Sequence, residues 1–422
     1  MKEEFLHFIW QYQKFNTAAL TTTEGDLIQI ISQGEINTNS GPDFFNAKIR
    51  IGDTIWVGNV EIHINSSAWI AHKHQNDSAY NNVILHVVYQ NDKIILDQRG
   101  NEIPCFELAG KIQYHLLQNY QNMMASKGKL ACENSISTID AFTKNGCKEN
   151  LAIERLERKV DEIQQLLVTS KGDWEEVSYK MLLRVFGQEV NKEPFITLSQ
   201  YLPYHILKKQ DSFLQIEALV FGVSGFLSEK NDTHAISLQN EFLYLQKKYG
   251  FKTMDKEQWK FMRMRPGNFP TVRLAQLVSL IDQNRRFLRL LIEESDLKTS
   301  KTNFLIRVEG YWKEHYSFGK RWSKTNVQMG QSFLNHMYIN AFIPLLFAYS
   351  KDCDDSQLQE KSINWLQEIP GEKNRIVSMF QAHGFEANNA MDSQGLIQLF
   401  RNYCEPKKCL NCAIGYKILN KG

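Results

Sequence analysis

The sequence predicts an α+β protein: an N-terminal domain with a mixed or antiparallel sheet and flanking helices, followed by a mainly α-helical domain. In the first part of the chain, short β-branched and aromatic runs alternate with Gly, Asn and Asp turns. From about residue 138, apolar residues recur at helical spacing. Because 422 residues exceed the usual size of a domain with a single hydrophobic core, we expect one domain over residues 1–120 and another over 140–422. The boundary between them is expected to lie between residues 116 and 143.

The chain is predicted to begin with a helix. Over residues 4–14, Phe5, Phe8, Ile9 and Tyr12 fall at positions i, i+3, i+4 and i+7, which is typical of an amphipathic helix. Strands are expected next at residues 27–32, 45–51, 54–64, 83–89 and 93–96. In the second domain, helices are expected at 150–160, 174–186, 216–226 and 237–249, with a further one starting near Pro270.

Residues 66–82 fit two alternatives. They form either a helix capped by Ser66 or a further strand with His72 and His74 on one side. The first alternative produces helix, three strands, helix and strand over residues 4–89. The second produces an all-β roll.

Composition excludes several classes of protein. There are 49 Lys and Arg residues and 47 Asp and Glu residues, so the net charge of +2 indicates no global polyanion partner, and any nucleic-acid surface must be local. No apolar run approaches the roughly 20 residues that span a bilayer, and the first residues do not resemble a signal peptide. We therefore expect a cytoplasmic protein without a membrane partner. The sequence leaves its oligomeric state open.

Potential metal ligands are concentrated between residues 41 and 88. Glu61 and His63 share one face of a predicted strand, because strand side chains repeat every second residue. The spacing from Asp43 to Glu61 fits one strand, a turn and most of an antiparallel second strand, which brings the two carboxylates side by side. Hard cations prefer such oxygens, so Mg²⁺ or Mn²⁺ is expected there. Further metal ligands in this stretch are expected to be His63, His72, His74 and His86.

Pro42-Asp43 followed by Glu61-Ile62-His63 resembles the pattern of the restriction-endonuclease-like nucleases, which is Pro-Asp, a spacer, then Asp or Glu, any residue, and Lys. The resemblance implies that Asp43 and Glu61 bind metal and that the protein hydrolyses phosphodiester bonds. His63 stands in the place of the lysine that assists the attacking water, and it is a base or an additional ligand. The expected function is a metal-dependent nuclease with Asp43, Glu61 and His63 as catalytic residues.

Two other residues stay open in this prediction. Glu35 is a candidate further ligand. Lys73 is a candidate for the cationic side chain of the nuclease-like pattern, placed at a different position in the sequence.

The histidines support a second hypothesis. His63, His72, His74 and His86 resemble the ligands of cupin-like β-rolls, in which a His-x-His pair, a carboxylate and a later histidine hold iron, manganese or zinc. This implies a metal enzyme that acts on a small molecule. A third hypothesis is a non-catalytic interaction protein whose helices bind a partner and whose polar strand residues are structural.

Near the end of the chain, Cys404, Cys409 and Cys412 form a Cys-x4-Cys-x2-Cys pattern, which is a spacing that chelates metal. The seven cysteines are an odd number, which argues against a disulfide framework. We therefore expect structural zinc or an iron–sulfur cluster. The fourth ligand stays open among Cys105, Cys132, Cys147, Cys353 and His383.

Arg263, Arg265 and Arg273 surround the turn before the helix that is expected near Pro270. A helix N-terminus with arginines around it can receive a phosphate, so these residues are a candidate local basic patch for nucleic acid. The alternative is an ordinary turn between helices in which Phe269 enters the core.

Over nearly its whole length the chain also resembles a bacterial family described only as a domain of unknown function. The resemblance rests on residues 41–44, 58–63 and 265–270, on Trp69 with His72 and His74, and on the three C-terminal cysteines. It implies membership of a family, and it implies no activity.

Overall fold

The structure is a computed structural model that describes residues 1–228, 232–323 and 329–421. The chain divides into two compact units. The sheet unit consists of residues 1–147, 382–385 and 399–422, and the helical unit consists of residues 148–381 and 386–398. The C-terminal cysteine segment thus belongs with the N-terminal sheet, which differs from the position at the end of the helical domain that the sequence suggested.

A mixed sheet forms the centre of the sheet unit. Its strands are β1 (Ile28–Ser32), β2 (Glu35–Ile36), β3 (Phe44–Ile51), β4 (Thr54–Asn65), β5 (Val83–Gln90) and β6 (Cys105–Glu107). Their order is β1-β3-β4-β5-β6, with β2 paired to β3. The pairs β1–β3, β2–β3 and β3–β4 are antiparallel, whereas β4–β5 and β5–β6 are parallel. The predicted mixed sheet in the N-terminal part is confirmed.

Helices flank this sheet and make up most of the helical unit. They are α1 (Glu3–Gln11), α2 (Ala68–Ala71), α3 (Tyr114–Ala125), α4 (Ala141–Thr169), α5 (Trp174–Gly187), α6 (Lys192–Tyr201), α7 (Tyr204–Leu207), α8 (Phe213–Val223), α9 (Thr233–Tyr249), α10 (Pro270–Gln283), α11 (Phe287–Glu293), α12 (Leu297–Asn303), α13 (Tyr311–Glu314), α14 (Gln331–Met337), α15 (Ile343–Asp352), α16 (Ser356–Glu368), α17 (Arg375–Gln381), α18 (Ala390–Leu399) and α19 (Ala413–Leu419). A short hairpin joins β7 (His315–Ser317) and β8 (Lys320–Arg321).

The predicted first helix is confirmed, and it ends earlier than expected. Helix α1 buries Phe5, Phe8 and Ile9 and packs against β4. It stops before Gln13, which has a left-handed φ of 46° that a helix cannot continue through. Phe5 stacks on Tyr120 of α3 with ring centroids 4.2 Å apart, so α1 and α3 share one apolar layer.

The segment after β4 is not a strand, so the all-β alternative is wrong. Its helical alternative holds only for the short α2, which is followed by 3₁₀ turns at His74–Asn76 and Ser78–Tyr80. The helix breaks because Lys73 has a φ of 63°, and Asp77 accepts a hydrogen bond from the N–H of Ala79 to start the second turn. The expected strand at 93–96 is also wrong. The strand that pairs with β5 at this edge of the sheet is β6. Leu96 makes only an isolated bridge, with Glu102.

The predicted helical character of the second part is confirmed. The elements α4, α5, α9 and α10 cover stretches where apolar periodicity indicated helices, and α8 ends at Val223, before the expected end at residue 226. These helices contribute to one continuous core that is rich in Leu, Val and Phe. Within the described ranges of the chain, none of the helices has the length and apolar character that a membrane crossing requires.

Candidate functional site

Strands β4 and β5 place three polar side chains on one buried face of the sheet. Glu61 and His63 are two residues apart on β4, and Glu61 is in register with His86 on the parallel neighbour β5. Their exposed fractions are 4%, 1% and 0%. Because polar groups that are buried this deeply need partners, the cluster is a candidate functional site.

The segment that follows β4 adds two more histidines. Asp92 anchors its start, accepting hydrogen bonds from the N–H and hydroxyl of Ser67 at 2.8 and 2.7 Å and from the hydroxyl of Ser66 at 3.0 Å. His72 then ends α2, and His74 opens the next turn after the left-handed Lys73. Both imidazoles reach the face that carries Glu61 and His63. Together with Asp43 and His86, these residues form what we call the histidine–acid cluster.

Four donor atoms of this cluster are spaced like the ligands of one metal ion. His63 Nε2 lies 3.1 Å from His72 Nδ1 and 3.5 Å from Glu61 Oε1, and His74 Nε2 lies 3.3 Å from the same Glu61 oxygen. Ligand atoms of the three histidines all fall within 4.8 Å of one another. Two ligands at about 2.1 Å from a tetrahedral zinc ion are about 3.4 Å apart. The spacing therefore fits a single ion.

Hydrogen bonding inside the cluster leaves ligand atoms available. His63 Nδ1 lies 2.8 Å from His86 Nε2, and a His63 tautomer that donates this hydrogen bond keeps its Nε2 lone pair for a metal. His74 Nε2 is buried and, among the described residues, makes no hydrogen bond. A buried nitrogen in that condition is stabilised by a cation placed between it and Glu61.

Asp43 lies beside Glu61, as the spacing of the two acids predicted. The N–H of Asp43 donates to Glu61 Oε2 at 3.1 Å, and Asp43 Oδ2 accepts from the N–H of Ile62 at 2.9 Å. Each carboxylate thus accepts a hydrogen bond from the backbone of the segment that carries the other. Asp43 Oδ2 also lies 3.3 Å from Nε2 of His7 on α1, and both side chains are 24% exposed.

The electrostatics of the cluster disfavour charge on the protein groups. Burial, followed by the charge of Asp43, raises the pKa of Glu61 to about 9. Burial and the neighbouring histidines lower the pKa of His63 to about 2, and burial lowers the pKa of His86 to about 3. The imidazoles of His63 and His86 are therefore neutral at neutral pH, and His63 is able to donate a lone pair to a metal.

Two members of this site were not predicted from the sequence. His7 comes from α1, and a single histidine in an amphipathic helix carries no signal that it will face a distant strand. Tyr80 stacks on His74 with ring centroids 3.8 Å apart. The two residues that the sequence left open, Glu35 on β2 and Lys73, are exposed.

A family model described as "Protein of unknown function (DUF2851)" matches residues 3–375. The chain belongs to the DUF2851 family. The matched range contains the whole histidine–acid cluster and ends before Cys404. No curated protein and no solved structure gives a significant match to the chain.

The three C-terminal cysteines lie in consecutive short elements of this DUF2851 chain. Cys404 ends a π-helical turn at Phe400–Cys404, Cys409 opens a 3₁₀ turn at Cys409–Asn411, and Cys412 precedes α19. Among the candidates for a fourth ligand, Cys105 on β6, Cys132, Cys147 and His383 lie in the sheet unit with these three cysteines, whereas Cys353 is exposed in the helical unit.

The three arginines of the predicted basic patch have different surroundings. Arg263 is exposed, whereas Arg265 and Arg273 line a cavity of about 1400 Å³ in the helical unit. Arg273 is only 6% exposed, and its guanidinium lies 3.6 Å from the ring centre of Phe333. It donates to Asn268 Oδ1 at 2.7 Å. Arg273 is therefore a buried wall residue of a cavity and not part of an exposed patch.

Proposed function

We propose that the sheet unit is a metal-dependent hydrolase that cleaves phosphodiester bonds in nucleic acid. Glu61, His63, His72 and His74 would be the ligands of its metal ion. The observation that carries this proposal is the set of neighbouring donor distances, 3.1, 3.3 and 3.5 Å, between the buried Glu61 and His63, the half-buried His74 and the exposed His72. Such distances match the ligand separations around one ion.

The donor set favours a transition metal. Three imidazoles and one carboxylate suit zinc or iron better than Mg²⁺, which prefers oxygen ligands. Mn²⁺, which the sequence suggested together with Mg²⁺, is included among the metal ions to be tested. A bound ion of this kind supplies Lewis acidity toward a phosphoryl oxygen and lowers the pKa of a bound water.

We assign different roles to the three residues that the nuclease resemblance singled out. His63 is a ligand and not a base, because it is 1% exposed and His86 and His72 lie close to its two ring nitrogens. Asp43 positions Glu61 through its backbone N–H and orients His7 through its carboxylate. His7 is half-buried beside that carboxylate, which suits it to accept the proton of the attacking water.

A phosphodiester substrate is supported by two features. The Asp43 turn lies next to the Glu61 strand, which is the arrangement that the nuclease-like pattern requires. In addition, the lining of a cavity in the helical unit contains Lys192, Arg265 and Lys373 against Glu189 and Glu372, whereas Arg184 pairs with Glu162 at 3.4 Å, Arg273 is buried, and burial lowers the pKa of Lys159 to about 7. A cavity with this charge suits a phosphate backbone.

The cupin-like alternative is less well supported. Its donor set has the same chemistry, but it expects His72 and His74 on a strand of a β-roll, and they lie instead in short helical turns between β4 and β5. The remaining hypothesis, a non-catalytic interaction protein, expects neither a bound metal nor turnover.

Activity of the full chain, loaded separately with Zn²⁺, Fe²⁺, Mn²⁺ or Mg²⁺, tests the proposal on single- and double-stranded DNA and RNA. Glu61→Gln and the double variant His72→Ala/His74→Ala should lose both cleavage and metal, because both remove ligands. His7→Gln should lose cleavage and keep the metal. His205→Ala changes an exposed histidine of the helical unit and should keep both. Cleavage that persists in Glu61→Gln and in the double variant would refute the proposed site.

A further inference from the structure

The cavity of about 1400 Å³ in the helical unit, which we call the helical-unit cavity, has a buried cation without a counterion in its wall. Arg273 on α10 lines this cavity and is only 6% exposed. Burial lowers the pKa of Arg273 to about 10, so the guanidinium stays charged at neutral pH. Among the described residues, no carboxylate oxygen lies within 4.0 Å of its nitrogens. Because buried charges are normally paired, the guanidinium marks a place where a bound anion is stabilised.

Neutral partners fix the position of this guanidinium and leave its charge uncompensated. Arg273 Nη1 donates to Gln276 Oε1 at 2.8 Å, and Nη2 donates to Asn268 Oδ1 at 2.7 Å. The guanidinium carbon lies 3.6 Å from the ring centre of Phe333, which adds a cation–π contact. The Nε–H is buried and finds no hydrogen-bond partner in the part of the chain that the structure describes. The side chain is therefore preorganised and keeps donor capacity that the protein does not use.

Lys159 on α4 is a second basic residue in the same lining. Its Nζ donates to the carbonyl of Ile339 at 3.1 Å and to Asn340 Oδ1 at 3.2 Å. Both partners are neutral, and within the described ranges no carboxylate oxygen comes within 4.0 Å of this nitrogen. Burial lowers the pKa of Lys159 to about 7, and an anion bound beside it would favour the charged form. An ammonium has three hydrogens, so one is left for a ligand in the cavity.

A row of three cavity-lining side chains connects the two basic residues. Phe333 and His336 lie on α14, and Asn340 lies in the π-helical turn that continues this helix. The ring centroids of Phe333 and His336 are 6.2 Å apart, and Asn340 Nδ2 lies 3.0 Å from His336 Nδ1. Arg273 is at the Phe333 end of the row, and Lys159 is at the Asn340 end. Both basic residues therefore border one region of the cavity.

The acidic residues of the lining have other partners or are exposed. Glu162 Oε2 lies 3.4 Å from Arg184 Nη1. Glu372 accepts a hydrogen bond from the side-chain amide of Gln394, and Glu189 is exposed. None of these three carboxylates forms an ion pair with the two basic residues at the ends of the row. The region between those ends therefore keeps a positive potential.

We propose that Arg273 and Lys159 bind the phosphate group of a phosphate monoester in the helical-unit cavity. Such a group carries a charge of about −1.5 to −2 at pH 7 and three acceptor oxygens, which suit two basic side chains with unused donors. A guanidinium is well matched to phosphate oxygens, with which it forms charge-assisted hydrogen bonds.

The rest of the cavity has room for the organic part of the ligand. Its volume of about 1400 Å³ is far more than a phosphate ion needs. Asn335 lines it, and Asn335 Oδ1 is buried without a hydrogen-bond partner from the described residues, so it can accept from a ligand N–H or O–H. The phosphate monoester belongs either to a free nucleotide or to the phosphorylated end of a nucleic-acid strand, which share this chemistry. Binding here does not depend on the hydrolase proposed for the histidine–acid cluster.

Calorimetric titration of the full chain tests the proposal. The His72→Ala/His74→Ala background with a chelator is used, so that phosphate bound through a metal at the histidine–acid cluster is not counted. Inorganic phosphate and adenosine monophosphate should bind, whereas adenosine, which lacks the phosphate, and succinate, a dianion with two carboxylates, should bind at least about tenfold more weakly than adenosine monophosphate. No binding of either phosphate probe at millimolar concentration, or succinate binding as tightly as adenosine monophosphate, would overturn the proposal.

Two oligonucleotides of one sequence, with and without a 5′-phosphate, distinguish the sources of the phosphate group. Tighter binding of the phosphorylated strand than of adenosine monophosphate identifies a strand end as the ligand. Tighter binding of adenosine monophosphate identifies a free nucleotide. Equal affinity for the two strands, together with no binding of adenosine monophosphate, would overturn recognition of a phosphate monoester.

Single substitutions test the two assigned residues. Arg273→Lys keeps the charge and loses the planar guanidinium, and Lys159→Gln removes the second cation. Each should weaken binding of adenosine monophosphate by about tenfold or more. Arg158→Gln is the matched control, because Arg158 is the exposed neighbour of Lys159 on α4 and does not line the cavity. Its affinity should equal that of the parent chain, and unchanged affinity in either cavity variant would overturn the assignment.

A second measurement covers cavity variants that fail to fold. Hydrogen exchange is followed in the chain with all native cavity residues, with and without saturating adenosine monophosphate. The ligand should slow exchange several-fold in peptides from α10 and α14, which carry Arg273 and Phe333, and leave peptides from β3 unchanged. Equal exchange of α10 and α14 under both conditions would overturn the site. No readout here uses cleavage or metal, so failure leaves the proposal for the histidine–acid cluster standing.

Discussion

Replacing Glu61 by Gln should have opposite effects on stability in the metal-free and metal-bound protein. Burial and the Asp43 charge raise the pKa of Glu61 to about 9, so in the metal-free fold the side chain keeps its proton at neutral pH. Gln is nearly isosteric with a protonated Glu, and its carbonyl can still accept the hydrogen bond from the N–H of Asp43. The variant therefore removes a titrating group and preserves the packing.

The size of the effect follows from proton linkage. A Glu side chain in the unfolded chain titrates near its ordinary pKa of 4.5, so between about pH 4.5 and pH 9 unfolding releases a proton. Wild-type stability should then fall by about 1.4 kcal/mol per pH unit in that window. At pH 7 the metal-free Glu61→Gln protein should be more stable than the wild type by about 3 kcal/mol. The contributions of the buried histidines are common to both proteins and cancel in the difference.

Metal should reverse this order. An ion at a thousand times its Kd stabilises the folded state by about 4 kcal/mol, and the variant should gain little because it lacks the anionic ligand. Hydrogen exchange of peptides from β4 and β5 at pH 5 and pH 7, with chelator or with Zn²⁺, measures opening of the sheet unit alone. The exposed Glu35→Gln variant is the matched control and should show wild-type behaviour. Equal pH slopes in wild type and Glu61→Gln, or equal stabilisation by Zn²⁺, would refute the reasoning.

Three further predictions concern neighbouring features. Asp92→Ala removes the acceptor of the Ser67 N–H at the start of the histidine segment, so it should destabilise the sheet unit by about 1 kcal/mol and weaken metal binding in a calorimetric titration. Arg265→Ala should weaken nucleic-acid binding uniformly across sequences and reduce the log–log salt slope by about 1, and an unchanged slope would exclude its cavity from the interface. Gly415→Ala would normally favour a helix by about 1 kcal/mol, but the clash with the Cys409 carbonyl should make it destabilising in urea unfolding, and a more stable variant would contradict the close packing.

Local pattern in the sequence was sufficient for much of the sheet unit. Strands β3, β4 and β5 are bounded by turns and carry β-branched or aromatic runs, so their limits were predicted to within a few residues. The common face of Glu61 and His63, and the proximity of Asp43, followed from strand alternation and from the length of one hairpin. These features depend on contacts between adjacent elements, which the spacing along a chain determines directly.

Other features depend on tertiary contacts that leave no local signal. Residues 66–82 have alternating histidines, yet the left-handed Lys73 and the anchor at Asp92 give them helical turns. His7 reaches Asp43 only because α1 packs on β4. The missed strand β6 has only three residues, and its pairing with β5 decides its conformation.

The sheet unit is discontinuous in sequence, and its C-terminal segment is held by aromatic and hydrogen-bond contacts. Tyr416 of that segment packs against Phe8 and Tyr12 with ring centroids 5.9 and 5.5 Å apart. The side-chain amide of Asn119 donates to the carbonyls of Ile418 and Leu419 at 3.2 and 3.3 Å. These contacts close a very long loop, and the entropy that opposes loop closure grows with loop length, whereas β4 pairs with strands that are close to it in sequence. Tyr416→Ala should accordingly release α19 to hydrogen exchange before β4 opens.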